Sequence, residues 1–303
     1  MELRQLRHFL AVVECGSLGD AARKVGMSQP ALTKSIQALE RSLDAPLFAR
    51  SSSGMSPNAF GNALVLRART IANEAARAHN EIGELKGVQR GTVKIGSTSM
   101  FMHAALPSAI VRFQRSHPDV EVSVTEGVLN ALLPALAAGE YDFVLCSLSS
   151  RLNALQEFER RILMPKRRAS IVTAAGNPIV SRRRLAAKDL VDGPWLLPGP
   201  TTQSRTKLNN LFAKAGLPPP QASVVYSSIT LAKAVLREGD YITFMSEVVV
   251  RDELKSGLLR RVNVPDLTLV DQTGALVRRN LPLMPAPEKL LSEIEALCRE
   301  IRV

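Results

Sequence analysis

One segment near the N-terminus places polar side chains on a single helical face. Ser28 is a suitable N-cap, Pro30 fits a first helical turn, and apolar residues then recur at helical spacing as far as Leu43. The opposite face carries two amides, a hydroxyl and an ammonium, on Gln29, Thr33, Lys34 and Gln37. Such groups can hydrogen-bond base edges in a major groove and pair with phosphates. A plain solvated helix face is the alternative interpretation.

A short turn-rich segment follows this helix. Arg50 stands beside Ser51-Ser52-Ser53-Gly54, which is too short for a domain and suits a tight hairpin or wing. An arginine there could enter a minor groove or contact a phosphate. An ordinary surface arginine is the alternative.

Hydroxyl-rich loops recur in the C-terminal two thirds of the chain, beside the predicted strand ends and helix starts. Hydroxyl and free N–H groups at helix starts suit a small anion, because the helix dipole and the unpaired donors both favour negative charge. Helix capping explains each loop taken singly, whereas several converging loops predict a binding cleft. The loops lie at residues 97–99, 126–127, 147–149, 199–203 and 227–228.

Catalysis and metal binding find little support in the sequence. Hydrolase, metalloprotease and phosphate-loop motifs do not occur, and the four histidines have no Cys, Asp or Glu at ligand spacing. Cys146 has no base nearby in sequence, so a buried thiol is preferred over a nucleophile. We therefore predict no catalytic residue, no metal and no cofactor. The basic clusters 160–161, 166–168 and 182–184 are predicted to be solvated surface.

The polar helical segment belongs to a run of short helices over residues 1–50. The apolar spacing predicts one helix that ends at Gly16 and a second that begins after the N-cap Ser17. A tight turn, Val25-Gly26-Met27, separates the second helix from the third. Two short helices joined by such a turn form a helix-turn-helix.

A longer helix is predicted next, with Ser56 as its N-cap and Pro57 at its first position. Apolar residues along it alternate steps of four and three, which is the heptad pattern of a coiled coil. These heptad residues are Leu64, Ala68, Ile71, Ala75, Ala78, Ile82 and Leu85. Because Gly87 and Gly91 end the helix before the chain could fold back on it, the pattern predicts a homodimer. A helix that packs on its own domain is the alternative.

From Thr92 onward, short strands alternate with helices. This alternation predicts an α/β fold with a mainly parallel sheet. The expected strands are 93–95, 120–124 and 141–145, the expected helices are 101–116 and 129–138, and a second series over 169–244 precedes a last helix at 286–302.

Length and composition agree with a folded protein of two or three domains, since the chain has 303 residues, 46% hydrophobic and 22% charged. The net charge of +11 favours a polyanionic partner such as nucleic acid. No apolar stretch is long enough to span a membrane, and the charges in the first ten residues argue against an export signal. A cytoplasmic protein is expected.

Together these residues resemble the LysR-type transcriptional regulators, and the resemblance covers the whole chain. The segment 3–50 is similar to the winged helix-turn-helix of that family at Ser17, Ala21, Ala22, Ser28, Gln29, Ala31, Leu39, Glu40, Leu43, Leu47, Phe48 and Arg50. The resemblance implies an α/β protein with three parts: a winged helix-turn-helix, a long linker helix, and a two-lobed, periplasmic-binding-protein-like (type 2) effector domain. The expected bounds are 1–57, 58–87 and 92–303, with lobe I at 92–163 and 266–303 and lobe II at 164–265.

The resemblance also implies site residues and partners. In this family the linker helix pairs two subunits, and tetramers form as dimers of dimers. The expected DNA contacts are Ser28, Gln29, Pro30, Ala31, Thr33, Lys34, Gln37, Arg50 and Ser52. A small effector, expected to be a carboxylate or another small anion, would lie near Ser97, Thr98, Ser99, Met100, Val128, Ser147, Thr201, Thr202, Ser228 and Phe244. Promoter DNA is the implied macromolecular partner, and RNA polymerase is an additional candidate.

Some positions depart from the family pattern. Members often carry a second basic residue in the wing, where this chain has Ser53, and Leu-Thr before the linker helix, where it has Ser56-Pro57. Residues 239–246 read Gly-Asp-Tyr-Ile-Thr-Phe-Met-Ser in place of the common Gly-Ile-x-x-Leu-Pro ending.

The sequence as a whole predicts a DNA-binding regulator that an effector controls. Two rival classes stay open: an enzyme that uses the α/β cleft, and a solute-binding component of transport. Neither rival accounts for residues 1–90.

Overall fold

The structure is a computed structural model that describes residues 1–51, 54–85, 91–149, 152, 154–182, 184–279 and 281–301. It divides into two compact units, of which the first contains residues 1–91 and 134–141 and the second residues 92–133 and 142–303. The predicted helix-turn-helix lies in the first unit, and all of the hydroxyl-rich loops lie in the second.

Three short helices open the first unit: α1 (Leu3–Cys15), α2 (Leu18–Lys24) and α3 (Gln29–Leu43). Their ends follow the predicted signals. Gly16 closes α1 in the left-handed conformation, and the side chains of Ser17 and Ser28 accept hydrogen bonds from the first turns of α2 and α3. The three helices bury one shared core that includes Leu6, Phe9, Val12, Ala21, Leu32 and Leu39. The predicted helix-turn-helix is therefore confirmed.

An antiparallel hairpin of β1 (Phe48–Ser51) and β2 (Gly54–Pro57) follows α3. The N–H of Met55 donates to the carbonyl oxygen of Gly16 at 2.7 Å, which ties the hairpin to the end of α1. This hairpin is the predicted wing. Ser52 and Ser53, between its strands, lie outside the described residues.

The long helix α4 (Ala59–Leu85) begins later than predicted. Asn58 caps it, because its Oδ1 accepts the N–H of Gly61 at 3.0 Å. The prediction of Ser56 as N-cap and Pro57 as first helical residue is wrong, since both residues pair with β1. Gly61 permits a close approach to the preceding chain, because a Cβ there would lie 2.1 Å from the carbonyl oxygen of Leu47.

The heptad residues of α4 divide into two groups. Ala68 is fully buried in the core of α1 to α3 and Leu64 packs against that core, so both serve their own chain, as the alternative interpretation had it. Ile71 and Ile82 are 41% and 55% exposed, and Ala78 is exposed as well. Ala75 is half-buried, and nothing is described of the Leu85 side chain. No described helix, α4 included, is long and apolar enough to cross a membrane.

The second unit is built on one nine-stranded sheet. Its strands are β3 (Gly91–Ser97), β4 (Val120–Glu126), β5 (Phe143–Ser147), β6 (Phe158–Ala174), β7 (Trp195–Pro198), β8 (Ala222–Tyr226), β9 (Ile242–Ser246), β10 (Leu259–Val262) and β11 (Leu269–Arg278). The strand order is β4-β3-β5-β11-β6-β9-β7-β8, and β10 pairs with β6. Its helices are α5 (Ser99–Met102), α6 (Leu106–Ser116), α7 (Leu129–Ala137), α8 (Gln203–Lys214), α9 (Ile229–Glu238), α10 (Arg251–Ser256) and α11 (Pro285–Glu300).

Two features of this sheet differ from the prediction. The sheet is mixed rather than mainly parallel, because the long strands β6 and β11 run antiparallel to each other and to β9 and β5. The helix predicted over 101–116 is two helices, since the chain turns at residues 103–105. Parallel pairing joins β3 to β5, and β7 to β8 and β9.

Two hydrophobic cores define the two lobes of this unit. The first contains Met164 of β6 and Ala275 of β11, and the second contains Ala169 of β6 and Leu267 just before β11. Each long strand therefore passes from one lobe to the other along its length. The last residues of β4, β5, β7, β8 and β9 line the space between the lobes.

Candidate functional site

The exposed face of α3 carries the predicted DNA-contacting residues. Leu32, Ile36 and Leu39 point into the core, which leaves the opposite face to solvent. Exposed residues on that side are Ser28, Gln29, Pro30, Ala31, Lys34 and Gln37. Thr33 is half-buried and its hydroxyl donates to the carbonyl oxygen of Gln29 at 2.9 Å. The helix therefore offers two amides and one ammonium, while the Thr33 hydroxyl is already engaged.

Two predicted DNA contacts, Arg50 and Ser52, belong to the wing. Arg50 lies on β1, where its backbone pairs with Met55, and nothing is described of its side chain. The predicted contact Ser52 lies outside the described residues.

A cleft of about 800 Å³ lies between the two lobes of the second unit. Nine of the ten predicted effector residues line it: Thr98, Ser99, Met100, Val128, Ser147, Thr201, Thr202, Ser228 and Phe244. The tenth, Ser97, does not belong to the lining, because it is the last residue of β3 and fully buried. Its hydroxyl donates to the Thr98 carbonyl oxygen at 3.0 Å. The predicted loops thus converge on this cleft, whereas Ser97 lies buried at the end of β3 and outside the lining.

A charge cluster at the cleft was missed by sequence reasoning. Arg167 of β6 donates through Nε and Nη2 to the two carboxylate oxygens of Asp271 on β11, at 2.8 and 2.6 Å. Lys207 of α8 donates to the same carboxylate and, at 2.5 Å, to Ser147 Oγ. Arg167 is buried, so the prediction that the basic run 166–168 is solvated surface is wrong at this residue. We call Arg167, Lys207 and Asp271 the charge cluster.

The charge cluster presents its cations to the cleft. Arg167 and Lys207 both line the cleft, whereas Asp271 is not part of the lining. Burial alone would raise the pKa of Asp271, but its ion pairs with Arg167 and then Lys207 lower that pKa below the usual value. Burial lowers the pKa of Lys207, against the attraction of Asp271. Two cations share one carboxylate, and the wall of the cleft is therefore electropositive here.

The hydroxyl groups that line the cleft differ in whether they are hydrogen-bonded. Ser246 ends β9, lines the cleft and is 7% exposed, and among the described residues its buried Oγ has no hydrogen-bond partner. Thr202 caps α8, and its hydroxyl donates to the Gly199 carbonyl oxygen at 2.8 Å. Ser228 likewise caps α9. The capping interpretation therefore holds for Thr202 and Ser228, which line the cleft at the same time.

The opposite end of the cleft is chemically different. Glu126 at the end of β4 lines it together with His103. Burial, followed by the positive charge of Lys233, lowers the pKa of His103, so this ring is neutral at pH 7. Lys233 itself is held by Glu253 at 2.9 Å.

Two further features bear on chemistry: the Cys146 thiol and the distribution of potential metal ligands. Cys146 is fully buried within β5, and burial raises the pKa of its thiol to about 12, so it is inert as a nucleophile. Within the described ranges, His, Cys, Asp and Glu form no group of three or more that could hold a metal ion.

Comparison with known families defines the class of protein. The bacterial regulatory helix-turn-helix model of the lysR family matches residues 3–62, and the LysR substrate binding domain model matches residues 86–299. The chain therefore belongs to the LysR family of transcriptional regulators, with a DNA-binding domain followed by a substrate-binding domain.

Individual relatives agree over nearly the full length. The regulator CbbR of Xanthobacter flavus is 30% identical over 295 residues, which is 97% of this chain and 87% of CbbR. The regulator GbpR of Azospirillum brasilense is 28% identical over 301 residues, or 98% of this chain and 86% of GbpR.

Solved structures show the same fold. A full-length OxyR variant from Pseudomonas aeruginosa aligns with a TM-score of 0.73 at 20% identity, over 98% of this chain and 95% of that chain. CbnR in complex with its target DNA aligns with a TM-score of 0.68 at 22% identity, over 98% of this chain and 99% of CbnR. The predicted fold, an N-terminal helix-turn-helix followed by a two-lobed α/β domain, is confirmed.

Proposed function

We propose that this regulator binds a two-fold symmetric promoter site as a homodimer and that a small anionic effector, held in the cleft, changes its affinity for that site. The observation that carries the effector proposal is the charge cluster, whose two cations line the cleft while their shared carboxylate does not. A protein of this kind is expected in the cytoplasm.

The DNA half of the proposal rests on α3. Its exposed amides, on Gln29 and Gln37, suit adenine edges in the major groove, and the Lys34 ammonium suits a phosphate. Ser28, Pro30 and Ala31 lie at the helix start, which is the end that enters the groove in helix-turn-helix proteins. The roles of Thr33, Arg50 and Ser52 are proposed on the family resemblance.

Dimerisation is proposed through the part of α4 that its own chain leaves open. The exposed Ile71, Ala78 and Ile82, with Ala75 between them, form an apolar strip that a second copy of α4 can cover. Pairing of dimers into a tetramer, and contact with RNA polymerase, rest on the family resemblance.

We propose that the cleft binds its ligand without turning it over. The inert thiol of Cys146 and the capping roles of the cleft hydroxyls support binding rather than an enzyme. The effector would favour one arrangement of the lobes, and coupling of this kind is typically about 1 to 3 kcal/mol.

The test begins with a thermal-shift screen of small carboxylates, sulfonates and neutral sugars against the full chain. We expect the anions to raise the melting temperature and the neutral sugars not to. A stabilising anion should then change the affinity for a bound DNA fragment, measured by fluorescence anisotropy, by about 5- to 150-fold. Stabilisation by neutral sugars alone would contradict the anionic effector, and conversion of the bound compound would favour an enzyme.

A further inference from the structure

The sheet order gives the cleft two chemically different ends. On the first lobe, the strand ends follow one another in the order β4, β3, β5 and then β11. Neighbouring strands are about 4.8 Å apart, so the backbone at Glu126, at the end of β4, lies about 10 Å across the sheet from the backbone at Ser147, at the end of β5. Lys207 touches Ser147, which places its ammonium at this second position. We call the Ser147 side the inner end and the Glu126 side the outer end.

The inner end can neutralise one negative charge. The charge cluster holds two cations and one carboxylate, so its net charge is one positive unit. The two nitrogens of Arg167 nearest Asp271 are already committed to that carboxylate, and its side chain is 8% exposed. The Lys207 side chain is 18% exposed and can turn a third N–H toward the cleft. One anionic group beside Lys207 therefore neutralises the net positive charge of the charge cluster.

The outer end repels a second negative charge. Glu126 is exposed to the cleft, and the neutral ring of His103 does not offset it. The nearby ammonium of Lys233 is bound to Glu253 at 2.9 Å. A carboxylate accepts hydrogen bonds from hydroxyl and ammonium groups, so the outer end suits a neutral or cationic polar group.

The wall between the ends presents apolar side chains to the cleft. Met100, Val128, Phe244 and Met245 line it and favour a hydrocarbon body. Ser246 also lines the cleft, but its Oγ is buried and lacks a hydrogen-bond partner among the described residues.

We infer that the cleft selects a monoanion with an apolar body and a neutral or cationic polar group at its far end, bound with the anion at Lys207 and the far end at Glu126. This inference rests on the proposed anionic effector and adds its charge distribution and orientation. Dicarboxylates of the same length are selected against by Glu126.

Four probes of equal chain length test the inference: hexanoate, 6-hydroxyhexanoate, 6-aminohexanoate and adipate. A six-carbon chain spans the separation of the two ends once a hydrogen bond of about 2.8 Å is added at each end. Isothermal titration of the full chain should give tighter binding for the hydroxy and amino acids than for hexanoate. Adipate should bind about fivefold more weakly than hexanoate, because a unit charge pair in water contributes about 1 kcal/mol at 4 Å.

Two substitutions with matched controls assign the ends. Glu126→Gln should strengthen adipate binding by about fivefold and leave hexanoate unchanged. Glu121→Gln makes the same charge change on β4 outside the cleft lining and should change neither affinity. Lys207→Met should weaken all four probes, whereas Lys214→Met, at the exposed end of α8, should not.

The outcomes separate the inference from the function on which it rests. Hexanoate binding with adipate equal or tighter, or Glu126→Gln without effect on adipate, would overturn the proposed orientation while the anionic effector stands. Absence of binding by all four probes, or binding unaffected by Lys207→Met, would overturn the anion site itself.

Discussion

The two units build their candidate sites in opposite ways. In the first unit, the candidate DNA contacts of α3 are exposed apart from the half-buried Thr33, and the core is formed by the opposite face with Leu32, Ile36 and Leu39. In the second unit, the charge cluster joins residues 104 and 64 positions apart in sequence and buries most of their charge. Binding and stability should therefore be separable in the first unit and linked in the second.

The largest effect is expected where charge is buried. Asp271→Asn leaves Arg167 and Lys207 without their carboxylate and should cost about 3 to 5 kcal/mol of the free energy of unfolding of the second unit, measured by urea denaturation. Asp252→Asn, at a side chain 83% exposed, is the control and should be near neutral. Equal stabilities of the two variants would remove the proposed link between site and stability.

The ion pairs of Asp271 also make the stability of the second unit depend on pH. The pKa of Asp271 is lowered in the folded state, so its contribution is present above the ordinary pKa of 3.8 and is lost as the pH falls through the lowered value. The stability difference between the protein and Asp271→Asn should stay constant from pH 7 to about pH 5 and shrink only in stronger acid.

In the first unit, a large effect should arise from packing rather than charge. Gly61→Ala places a Cβ against the Leu47 carbonyl oxygen and should cost about 2 kcal/mol, measured by denaturation followed by circular dichroism. Gly83→Ala, in the same helix, meets no atom within 4 Å and should be neutral or stabilising by up to about 1 kcal/mol. If both variants lose stability alike, helix propensity rather than close approach governs α4.

Formation of the proposed homodimer should depend on the exposed apolar strip of α4 in the first unit. Ile71→Asp removes a 41% exposed apolar side chain from the strip on α4 of each copy and should raise the dimer dissociation constant about thirtyfold, since burying the exposed part of each contributes about 1 kcal/mol, or about 2 kcal/mol for the pair. Leu258→Asp, at a comparably exposed position of the second unit, should not change it. Analytical ultracentrifugation distinguishes the two, and an unchanged mass for Ile71→Asp would place the dimer contact elsewhere.

The smallest effect is expected from alkaline titration of the cleft. Burial lowers the pKa of Lys207 below the ordinary value of 10.5, and anion binding needs the protonated amine. Hexanoate affinity should therefore fall to about half when the pH reaches that lowered pKa, and should fall further above it. Affinity that stays constant up to pH 10.5 would mean that Lys207 does not hold the anion.

The same contrast explains what the sequence could predict. The caps at Ser17 and Ser28 and the buried face of α3 follow from local spacing, so the helix-turn-helix could be predicted residue by residue. The hydroxyl-rich loops of the cleft could be predicted as well, because they end or follow strands or begin helices, whereas Met100, Val128 and Phe244 were expected only from the family resemblance.

Features that arise from contacts between distant segments could not be predicted from the sequence. Arg167 lies in a basic run that is typical of surface, and only its register opposite Asp271 on β11 shows that it is buried. Ala68 fitted the heptad pattern, but the packing of α4 on α1 takes it into the core of its own chain. Ser56 was a plausible cap until its pairing with Ala49 placed it in a strand.

The central claim is that two copies present α3 to a two-fold symmetric DNA site. Selection of bound sequences from random DNA by the full chain tests it most directly. The account predicts an inverted repeat with half-sites about one helical turn apart or a multiple of it, and relaxed specificity at one position of each half-site for Gln29→Ala. Enrichment of no sequence, or of a single asymmetric site unaffected by Gln29→Ala, would contradict the account.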